Sequence, residues 1–347
     1  GKVARLPLAK ASAILAEASI VGHDTKEFFK ALLGAGCQQL PIVKHDTAQG
    51  SFLLNPLRKS RELADLAGVE SLDDPRLVMA ALWVVYEQQK SAFAELPDLQ
   101  QVAQTMDFPL INVLAQMEFR GIKIDASKLE KMNKSLAQEI AAVQQNIYDM
   151  VGYEFNVASP AQLASALFDK LLLPTAGIKK GKTGYSTNQK ELDKLRGQHP
   201  IIELVERFRE LSKLQNTYVA ALPEQTDANG YIHTTFNQDT TATGRLSSTN
   251  PNLQNIPIRT ELGRQIRDAF VPAPGNVFVN ADYSQFELRL AAVMAGEKQM
   301  IEDFNADVDI HAKTAAEVYN VPINEVTPAQ RRRAKVVNFG VLYGMSQ

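Results

Sequence analysis

Residues 277–290 read VFVNADYSQFELRL and place an acidic side chain at the end of an apolar, strand-like run. The run GNVFVNAD predicts a strand, and the following SQFELRLAAVMAG predicts a helix. Asp282 therefore lies at a strand-to-helix junction, and Glu287 lies inside the helix. An aspartate at such a junction is either a helix cap or, as a hard oxygen donor on a rigid strand end, a ligand for Mg²⁺.

Glu287 is a poor second ligand for the same ion. Successive residues of a helix advance by about 100°, so Glu287 would lie roughly 140° around the helix from Asp282. Two-metal phosphoryl transfer needs more than one carboxylate around the ions. The two acids of this stretch therefore do not form a catalytic pair, and Glu287 needs another role.

The composition is that of an ordinary globular protein, and it excludes several kinds of site. Of 347 residues, 45% are hydrophobic and 22% are charged, and the net charge of −2 indicates no general affinity for nucleic acid or membranes. The single cysteine, Cys37, excludes an internal disulfide and argues against a cysteine-based zinc site. No apolar run reaches the roughly 18 residues of a membrane span. We expect a cytoplasmic monomer without a membrane partner, and the first residue, Gly1, suggests a fragment.

The chain changes character along its length. Residues 1–98 alternate short apolar runs with helical stretches, as α/β units do, and residues 99–228 contain long amphipathic helices. Residues 229–300 begin with the strand-like GYIHTTFNQ and continue into an 18-residue polar stretch, TTATGRLSSTNPNLQNIP, without a helix or a long strand. A loop of that length inside a compact domain is usually functional or disordered. Residues 301–347 return to helical patterns.

Capping residues mark several helix ends. The pairs Ser159–Pro160 and Thr327–Pro328 have the pattern of an N-cap followed by a proline in the first helical turn. Gly121 is a helix stop, and Pro223 is expected to end the long helix that begins near residue 199.

The polar stretch and the residues just after it carry side chains that suit nucleic acid. Arginine and amide groups hydrogen-bond to phosphates, sugars and base edges. The candidates are Arg245, Asn252, Gln254, Asn255 and Arg259. The alternative is a surface loop rich in Asx and Ser/Thr turns.

The last helix, TPAQRRRAKVVNFGVLYG, combines a basic and aromatic face with an apolar stripe. Ala334, Val337 and Val341 form the stripe, which is predicted to face a core. The other face carries two cations and then two rings at intervals of four, namely Arg331, Lys335, Phe339 and Tyr343. Cations suit phosphate oxygens, and flat rings suit bases or sugars. The alternative is a solvated basic face with two ordinary core aromatics.

Three stretches together resemble, in chain order, the motifs of the family A DNA polymerases, the bacterial DNA polymerase I type. They are TATGRLSSTNPNLQNIPIR, ADYSQFELRL and RRRAKVVNFGVLYG. The resemblance covers essentially the whole chain and implies an α+β multidomain fold. Its parts would be a degenerate α/β exonuclease-like (ribonuclease H-like) fragment at 1–98, a mostly helical thumb region at 99–228, a partial palm with an antiparallel sheet at 229–300, and partial helical fingers at 301–347.

The resemblance also implies the role of each candidate residue. Asp282 would bind Mg²⁺ together with the Tyr283 carbonyl, and Glu287 would bar the 2′-hydroxyl of a ribonucleotide. Asp282, Arg331 and Lys335 would be catalytic. The incoming deoxynucleoside triphosphate would be held by Gln285, Glu287, His311, Arg331, Lys335, Phe339 and Tyr343. Primer–template DNA would be contacted by Lys213, Arg245, Asn252, Gln254, Asn255 and Arg259.

The implied reaction is DNA-templated DNA synthesis by two-metal phosphoryl transfer onto a primer 3′-hydroxyl, in replication or repair. Two departures from the family pattern limit it. Phe28 occupies the position of one proofreading aspartate, and Asp24 and Asp46 are poor substitutes by spacing, so we expect no proofreading. The family's second catalytic aspartate would lie beyond Gln347. We therefore expect this piece, truncated at both ends, not to extend primers alone.

Two alternatives stay open. One is a non-catalytic module that binds primer–template DNA, which a downstream His-Asp-Glu triplet would argue against. The other is a phage-type replicative polymerase that depends on a processivity partner, although no docking insertion is visible. The Lys-rich loop at 179–182 could bind duplex backbone in either case.

Overall fold

Helices dominate the part of the chain that the computed structural model describes, which is residues 7, 10, 14–181, 184–258 and 260–344. The strands within these residues pair only in two-stranded sheets, so the fold is α+β. The chain separates into two compact units, Gly1–Val277 and Phe278–Gln347. Among the described helices, none has both the length and the apolar character needed to cross a membrane.

An α/β arrangement opens the first unit. Helix α1 joins two parallel strands, and three further helices follow. These elements are β1 (Ser19–Gly22), α1 (Thr25–Gly34), β2 (Ile42–Asp46), α2 (Thr47–Leu54), α3 (Leu63–Ala67) and α4 (Pro75–Ala94). Phe29 and Leu32 of α1 are fully buried, in one cluster with Phe93 of α4. We call residues 19–94 the N-terminal module.

A continuous helical run follows the N-terminal module. It consists of α5 (Pro97–Val102), a π-helical turn (Ala103–Asp107) and α6 (Phe108–Arg120). Gly121 ends α6 as predicted, with φ of 66°. A Cβ there would lie 2.7 Å from the Ile232 carbonyl oxygen, so this position needs glycine for space as well as for its backbone angle.

The middle of the first unit is a helical layer with its own core. Its elements are β3 (Ile122–Lys123), α7 (Ala126–Val151), α8 (Pro160–Ala164) with a π-helical turn (Ser165–Lys170), the hairpin β4 (Lys180–Gly181) and β5 (Gly184–Tyr185), α9 (Gln189–Asp193), α10 (Ile201–Leu214) with a π-helical turn (Gln215–Val219), and α11 (Ala221–Glu224). Leu129 and Leu136 of α7 are buried in one cluster with Val205 and Leu211 of α10. Lys182 of the Lys-rich loop lies outside the described residues.

The predicted caps are confirmed here, but the role of Pro223 is not. The Ser159 side chain accepts a hydrogen bond from the Gln162 amide and caps α8, whose first residue is Pro160. Pro223 does not end a helix, because it lies inside α11. A new helical segment starts at Ala221, so the missing proline N–H falls in a first turn, where amides have no helical partner.

The end of the first unit contains two short antiparallel pairs. They are formed by β6 (Tyr231–Ile232) with β3, and by β7 (Thr235–Asn237) with β8 (Ser247–Thr249); α12 (Glu261–Asp268) follows. The single strand predicted for GYIHTTFNQ is thus split. Thr234 lies at the break, where its hydroxyl is 2.7 Å from Ser248 Oγ and donates to the Pro251 carbonyl at 2.8 Å. Residues 238–246 between β7 and β8 are the hairpin loop.

Four helices and a short 3₁₀ turn form the second unit. They are α13 (Phe286–Ala295), α14 (Lys298–Asn305), α15 (Ile310–Tyr319), the turn Ile323–Glu325 and α16 (Pro328–Leu342). Leu288, Ala292, Phe304 and Ile310 form its core. Thr327 and Gln330 make a full capping box at the start of α16, and Pro328 occupies the first turn as predicted.

Two predictions about apolar residues are wrong for the described chain. The run GNVFVNAD is not a strand, and Val277 and Val279 are 80% and 84% exposed. No described strand pairs with this run, and an unpaired strand leaves its amides and carbonyls without partners. The stripe of α16 is buried only at Ala334. Val341 is 66% exposed and lines a cleft of about 570 Å³.

Candidate functional site

The basic face of α16 lies against the start of α15. Arg331 Nε donates a hydrogen bond to Asp309 Oδ2 at 2.6 Å. Lys335 Nζ lies 5.8 Å from the centre of the Phe339 ring, and the His311 ring centre lies 5.7 Å from the same ring. The structure therefore brings His311, Arg331, Lys335 and Phe339 together, as predicted from spacing and resemblance.

His311 is an uncharged donor beside two cations. It is 2% exposed, and Asn338 Nδ2 lies 3.2 Å from its Nδ1 and 3.1 Å from Thr314 Oγ1. Because the Asn338 amide donates, Nδ1 accepts and the proton belongs on Nε2. Burial lowers the pKa of His311, and Arg331 and Lys335 lower it further, against the opposing effect of Asp309. A buried, neutral imidazole next to two positive charges is a site that an anion would stabilise.

Asp309 fixes this arrangement, although it was not among the residues predicted from the sequence. Its Oδ1 caps α15 by accepting from the amides of His311 and Ala312, while its Oδ2 holds Arg331. Burial would raise the pKa of Asp309, but the hydrogen bonds from Arg331 and the two amides lower it overall. The helical pattern after Asp309 could have identified a cap. No local signal could have identified an arginine 22 residues away.

Glu287 and Tyr343 are joined directly. The Tyr343 hydroxyl donates to Glu287 Oε2 at 2.7 Å, linking the first turn of α13 with the end of α16. Helix α16 ends at Leu342, two residues before the predicted Gly344, and Tyr343 occupies its C-cap position. Glu287, which helix geometry separates from the metal candidate Asp282, is therefore held by Tyr343, one of the two predicted rings.

Asp282 is not a helix cap, which removes the alternative role considered for it. The N-cap of α13 is Gln285, with φ of 53° and no side-chain capping bond. The Gln285 Oε1 atom is buried without a hydrogen-bond partner among the described residues. Asp282 and Tyr283 are exposed, three and two residues before this cap.

The Asp282 carboxylate and the Tyr283 carbonyl suit Mg²⁺ chemically but form only part of a ligand set. A carboxylate and a backbone carbonyl are hard ligands of the kind that Mg²⁺ prefers. Within residues 14–181, 184–258 and 260–344, no group of three or more His, Cys, Asp or Glu side chains gathers to hold a metal. Asp282 therefore belongs to no cluster of three or more such side chains among the described residues.

Two side-chain amides of the 240–257 stretch form hydrogen bonds within the stretch itself. Asn252 Oδ1 accepts from the Gln254 amide at 3.0 Å, which is an Asx turn, and Gln254 Nε2 donates to the Leu246 carbonyl at 3.1 Å. The Asn255 carbonyl accepts from the Tyr218 hydroxyl at 2.7 Å. The Asx-turn alternative is thus right for Asn252, and these bonds give the segment a defined path.

The cationic DNA candidates are at the surface of the first unit. Arg245 is exposed in the hairpin loop, where the Thr241 hydroxyl donates to its carbonyl. Lys213 is exposed near the end of α10. Arg259 lies outside the described residues. Nothing in the geometry tests whether these side chains contact DNA, so that role stays a prediction.

Asp24 and Asp46 of the N-terminal module are surrounded by groups of the module itself. Asp46 is 2% exposed and accepts hydrogen bonds from the amides of Thr25, Ala48 and Gln49 and from the Thr25 hydroxyl. Burial raises the pKa of Asp24, and the nearby Asp46 and Glu27 raise it further. Phe28 is partly exposed beside them in α1. The absence of proofreading stays a prediction.

Comparison with known proteins agrees with these features. Residues 126–347, more than half of the chain, match DNA polymerase family A. The chain is 40% identical to DNA polymerase I of Geobacillus stearothermophilus over 93% of its own length, and 50% identical to that of Bacillus caldotenax over 70%. It spans only 40% and 28% of those two relatives.

A solved structure shows the same likeness in three dimensions. The POL domain of Pol1 from M. smegmatis, in complex with DNA primer–template and dNTP, is similar with a TM-score of 0.85 and 36% identity. The similarity covers 97% of this chain and 61% of that one. The resemblance inferred from the three motifs is confirmed, and the chain belongs to DNA polymerase family A.

Proposed function

We propose that this chain is part of a DNA-templated DNA polymerase that adds deoxynucleotides to a primer 3′-hydroxyl. The observation that carries the proposal is the face of α16, where Arg331, Lys335 and Phe339 follow one another beside the buried, neutral His311. Cations spaced one helical turn apart match a row of phosphates, and a ring further along the same face matches a base.

Each cation would contribute differently to triphosphate binding. Arg331 uses Nε to contact Asp309, which orients the guanidinium and leaves its terminal nitrogens for phosphate oxygens. Lys335 is exposed and would act as a mobile point charge. His311 would donate its Nε2 proton to a phosphate, since its Nδ1 is engaged by Asn338. Gln285 and the ring of Tyr343 would complete the nucleotide site.

Glu287 would distinguish deoxyribose from ribose. The Tyr343 hydroxyl holds Glu287 Oε2, so the carboxylate has a fixed position at the end of the α16 face. The 2′-hydroxyl of a ribose bound there would clash with this carboxylate. This accounts for an acid that is placed away from Asp282.

Asp282 and the Tyr283 carbonyl would hold Mg²⁺, and this role rests on the chemistry of the donors. The ion, when bound, would neutralise charge on the transferring phosphoryl group. The rest of the reaction would depend on positioning, for which Arg331 and Lys335 supply fixed and mobile charge. Because Asp282 belongs to no cluster of three or more possible metal ligands among the described residues, we also propose that this chain binds DNA and dNTP without extending primers.

Primer–template DNA is the second proposed ligand, at the first unit. The M. smegmatis relative was solved with primer–template and dNTP, which supports the same ligands here. Residues 99–228 would then be a thumb, 229–300 a partial palm and 301–347 partial fingers, with 1–98 an inactive exonuclease-like fragment. The proposed contacts are Lys213, Arg245, Asn252, Gln254, Asn255 and Arg259. The setting would be the bacterial cytoplasm, with the chain as a monomer, which sedimentation can test.

The nucleotide site is tested by binding of Mg-dNTP to the 347-residue chain, measured by calorimetry. Lys335→Ala should weaken binding about tenfold, the loss expected for one charge-assisted phosphate contact. Lys298→Ala, at an exposed lysine of α14, is the matched control and should change affinity less than about twofold. Equal effects of both substitutions would refute the assignment of α16.

A non-catalytic DNA-binding module is a second candidate, favoured by the lack of a cluster of three or more possible metal ligands among the described residues. Primer extension separates the two readings. Extension by the 347-residue chain that Asp282→Ala abolishes would contradict the proposed lack of activity of this chain alone. Restored extension on adding a segment that supplies a second carboxylate would support the polymerase.

A further inference from the structure

We propose that the N-terminal module braces the β7–β8 hairpin, and that Lys26 and Arg61 are positioning residues for Arg245 in the hairpin loop. The inference rests on the proposed function, in which Arg245 contacts primer–template DNA. It assigns a role to a module whose buried aspartate, Asp46, is already hydrogen-bonded within the fold. All of the contacts involved lie within the first unit.

The first contact is made by Glu118 of α6 on the free edge of β7. The amide of Phe236 donates to Glu118 Oε1 at 2.7 Å, and the Phe236 carbonyl accepts from Lys26 Nζ. Lys26 Nζ also lies 2.7 Å from Glu118 Oε1. Glu118 and Lys26 together pair with the amide and the carbonyl of Phe236, as a neighbouring strand would.

The charge of Glu118 is held in place from the N-terminal module. Glu118 is 2% exposed, and its Oε2 forms an ion pair with Lys30 Nζ at 2.9 Å. Burial would lower the pKa of Lys30, but contacts with Glu27 and Glu118 raise it, so the lysine stays charged. Lys26 and Lys30 both belong to α1, one turn apart. A buried carboxylate between two lysines of one helix fixes that helix relative to β7.

Two further contacts hold the chain just beyond β7. Gln238 Nε2 donates to the Asp107 carbonyl at 3.1 Å. Arg61 lies 3.3 Å from Asp239 Oδ2, and its other terminal nitrogen donates to the Pro56 carbonyl at 3.0 Å. The Arg61 guanidinium also stacks 5.2 Å from the centre of the Phe52 ring, so it is fixed before it meets Asp239.

These contacts fall within residues 236–239 and end where the exposed part of the loop begins. Phe236, Gln238 and Asp239 are each tied down, and Arg245 follows six residues after Asp239 in a loop closed by β8. Fixing the entry strand limits the paths open to the loop and therefore lowers the entropy that Arg245 loses on binding. The module would thereby raise affinity for DNA without contacting it.

The test uses the 347-residue chain and compares two changes with a control variant. The changes are Lys26→Met and an exchange of the charges of Arg61 and Asp239. Affinity for primer–template DNA is measured by fluorescence anisotropy, and hydrogen exchange of amides 236–249 is measured without DNA. Lys26→Met should weaken DNA binding about fivefold, the size of change typical of residues that act through a network. Lys90→Met, at an exposed lysine of α4, should leave both measurements unchanged.

The charge exchange supplies a readout that general destabilisation would not move. Arg61→Asp and Asp239→Arg should each weaken DNA binding and speed exchange in the hairpin. The double variant restores the ion pair and should recover both towards wild type. The charge exchange still tests the proposal if Lys26→Met fails to fold. Unchanged DNA affinity in the single variants, or a double variant no better than either, would overturn the proposal.

The outcome can be separated from failure of the proposed function. If Arg245→Ala leaves DNA affinity unchanged, the assignment of Arg245 is wrong and the positioning role falls with it. If Arg245→Ala weakens binding while Lys26→Met and Arg61→Asp do not, the DNA role stands and the brace is refuted. Weaker DNA binding by Lys26→Met or Arg61→Asp with unaltered hairpin exchange would also refute the brace.

Discussion

The N-terminal module and the second unit each contain an aspartate where an apolar run gives way to a helix, but the two aspartates differ in their partners. Asp46 ends β2, caps α2 and accepts four hydrogen bonds from a buried position. Asp282 follows a similar run, is exposed, and makes no hydrogen bond or ion pair with a described residue. The same sequence position can therefore serve folding in one region and stay available for a ligand in the other.

Two buried histidines repeat the contrast. His45 is adjacent to Asp46, bonds Gln89 at 2.7 Å and packs against Tyr86 and Phe108. His311 is equally buried, but its neighbours are the cations Arg331 and Lys335. In the N-terminal module His45 is paired with the neutral Gln89, whereas in the second unit His311 lies beside Arg331, which is paired with Asp309, and Lys335, which forms no ion pair with a described residue. Satisfied polar groups indicate structure, and unbalanced ones indicate a ligand.

The largest expected effect is on stability. Asp46→Ala should lower the free energy of unfolding by about 2–4 kcal/mol, because it removes a helix cap and leaves buried amide donors unpaired. Asp282→Ala should change it by less than about 0.5 kcal/mol, as surface substitutions do. Urea unfolding followed by circular dichroism measures both.

A third aspartate calibrates the comparison. Asp74 caps α4 from an exposed position through the Arg76 amide, so Asp74→Ala should cost about 1 kcal/mol. If Asp282→Ala is as destabilising as Asp46→Ala, Asp282 is a structural residue and the contrast fails.

Local signals in the sequence were enough to place most helices. The N-caps Ser159 and Thr327 and the stop at Gly121 act through neighbours within four residues, and all are observed. The order of cations and rings on α16 follows from helical spacing alone. These features depend on short-range geometry, which a sequence contains directly.

The failures depend on partners that are distant in the chain. The run around Val277 has the composition of a strand, but no described strand pairs with it. The bonds of Arg331 to Asp309 and of Tyr343 to Glu287 join residues 22 and 56 positions apart. Spacing predicted which side chains share a face. It could not predict which acid each of them meets.

The second prediction concerns pH and separates the two histidines. Burial lowers the pKa of both below the ordinary 6.5, and Arg331 and Lys335 add to the effect at His311. The unfolded chain therefore binds more protons than the folded chain in the window just below pH 6.5, and stability falls as the pH drops through it. A bound triphosphate should raise the pKa of His311 alone.

Nucleotide binding near pH 6 should therefore take up a fraction of a proton, while binding near pH 8 should not. Calorimetry of Mg-dNTP binding in buffers of different ionisation enthalpy measures this uptake. His311→Gln should abolish the part due to the protein, and His45→Gln should keep it. Equal uptake by wild type and His311→Gln would show that the phosphates do not reach His311.

The smallest expected effect concerns the hydrogen bond between Tyr343 and Glu287, an acid that the α16 face holds in addition to Asp309. Tyr343→Phe keeps the ring but removes the donor to Glu287 Oε2. A freer carboxylate should exclude ribose less well, and the ratio of dNTP to NTP affinity should fall about threefold, which corresponds to one modest hydrogen bond. Tyr319→Phe removes a hydroxyl that contacts Arg333 instead and should leave the ratio unchanged. An equal loss of affinity for both sugars after Tyr343→Phe would mean that the ring, and not the held carboxylate, accounts for the contact.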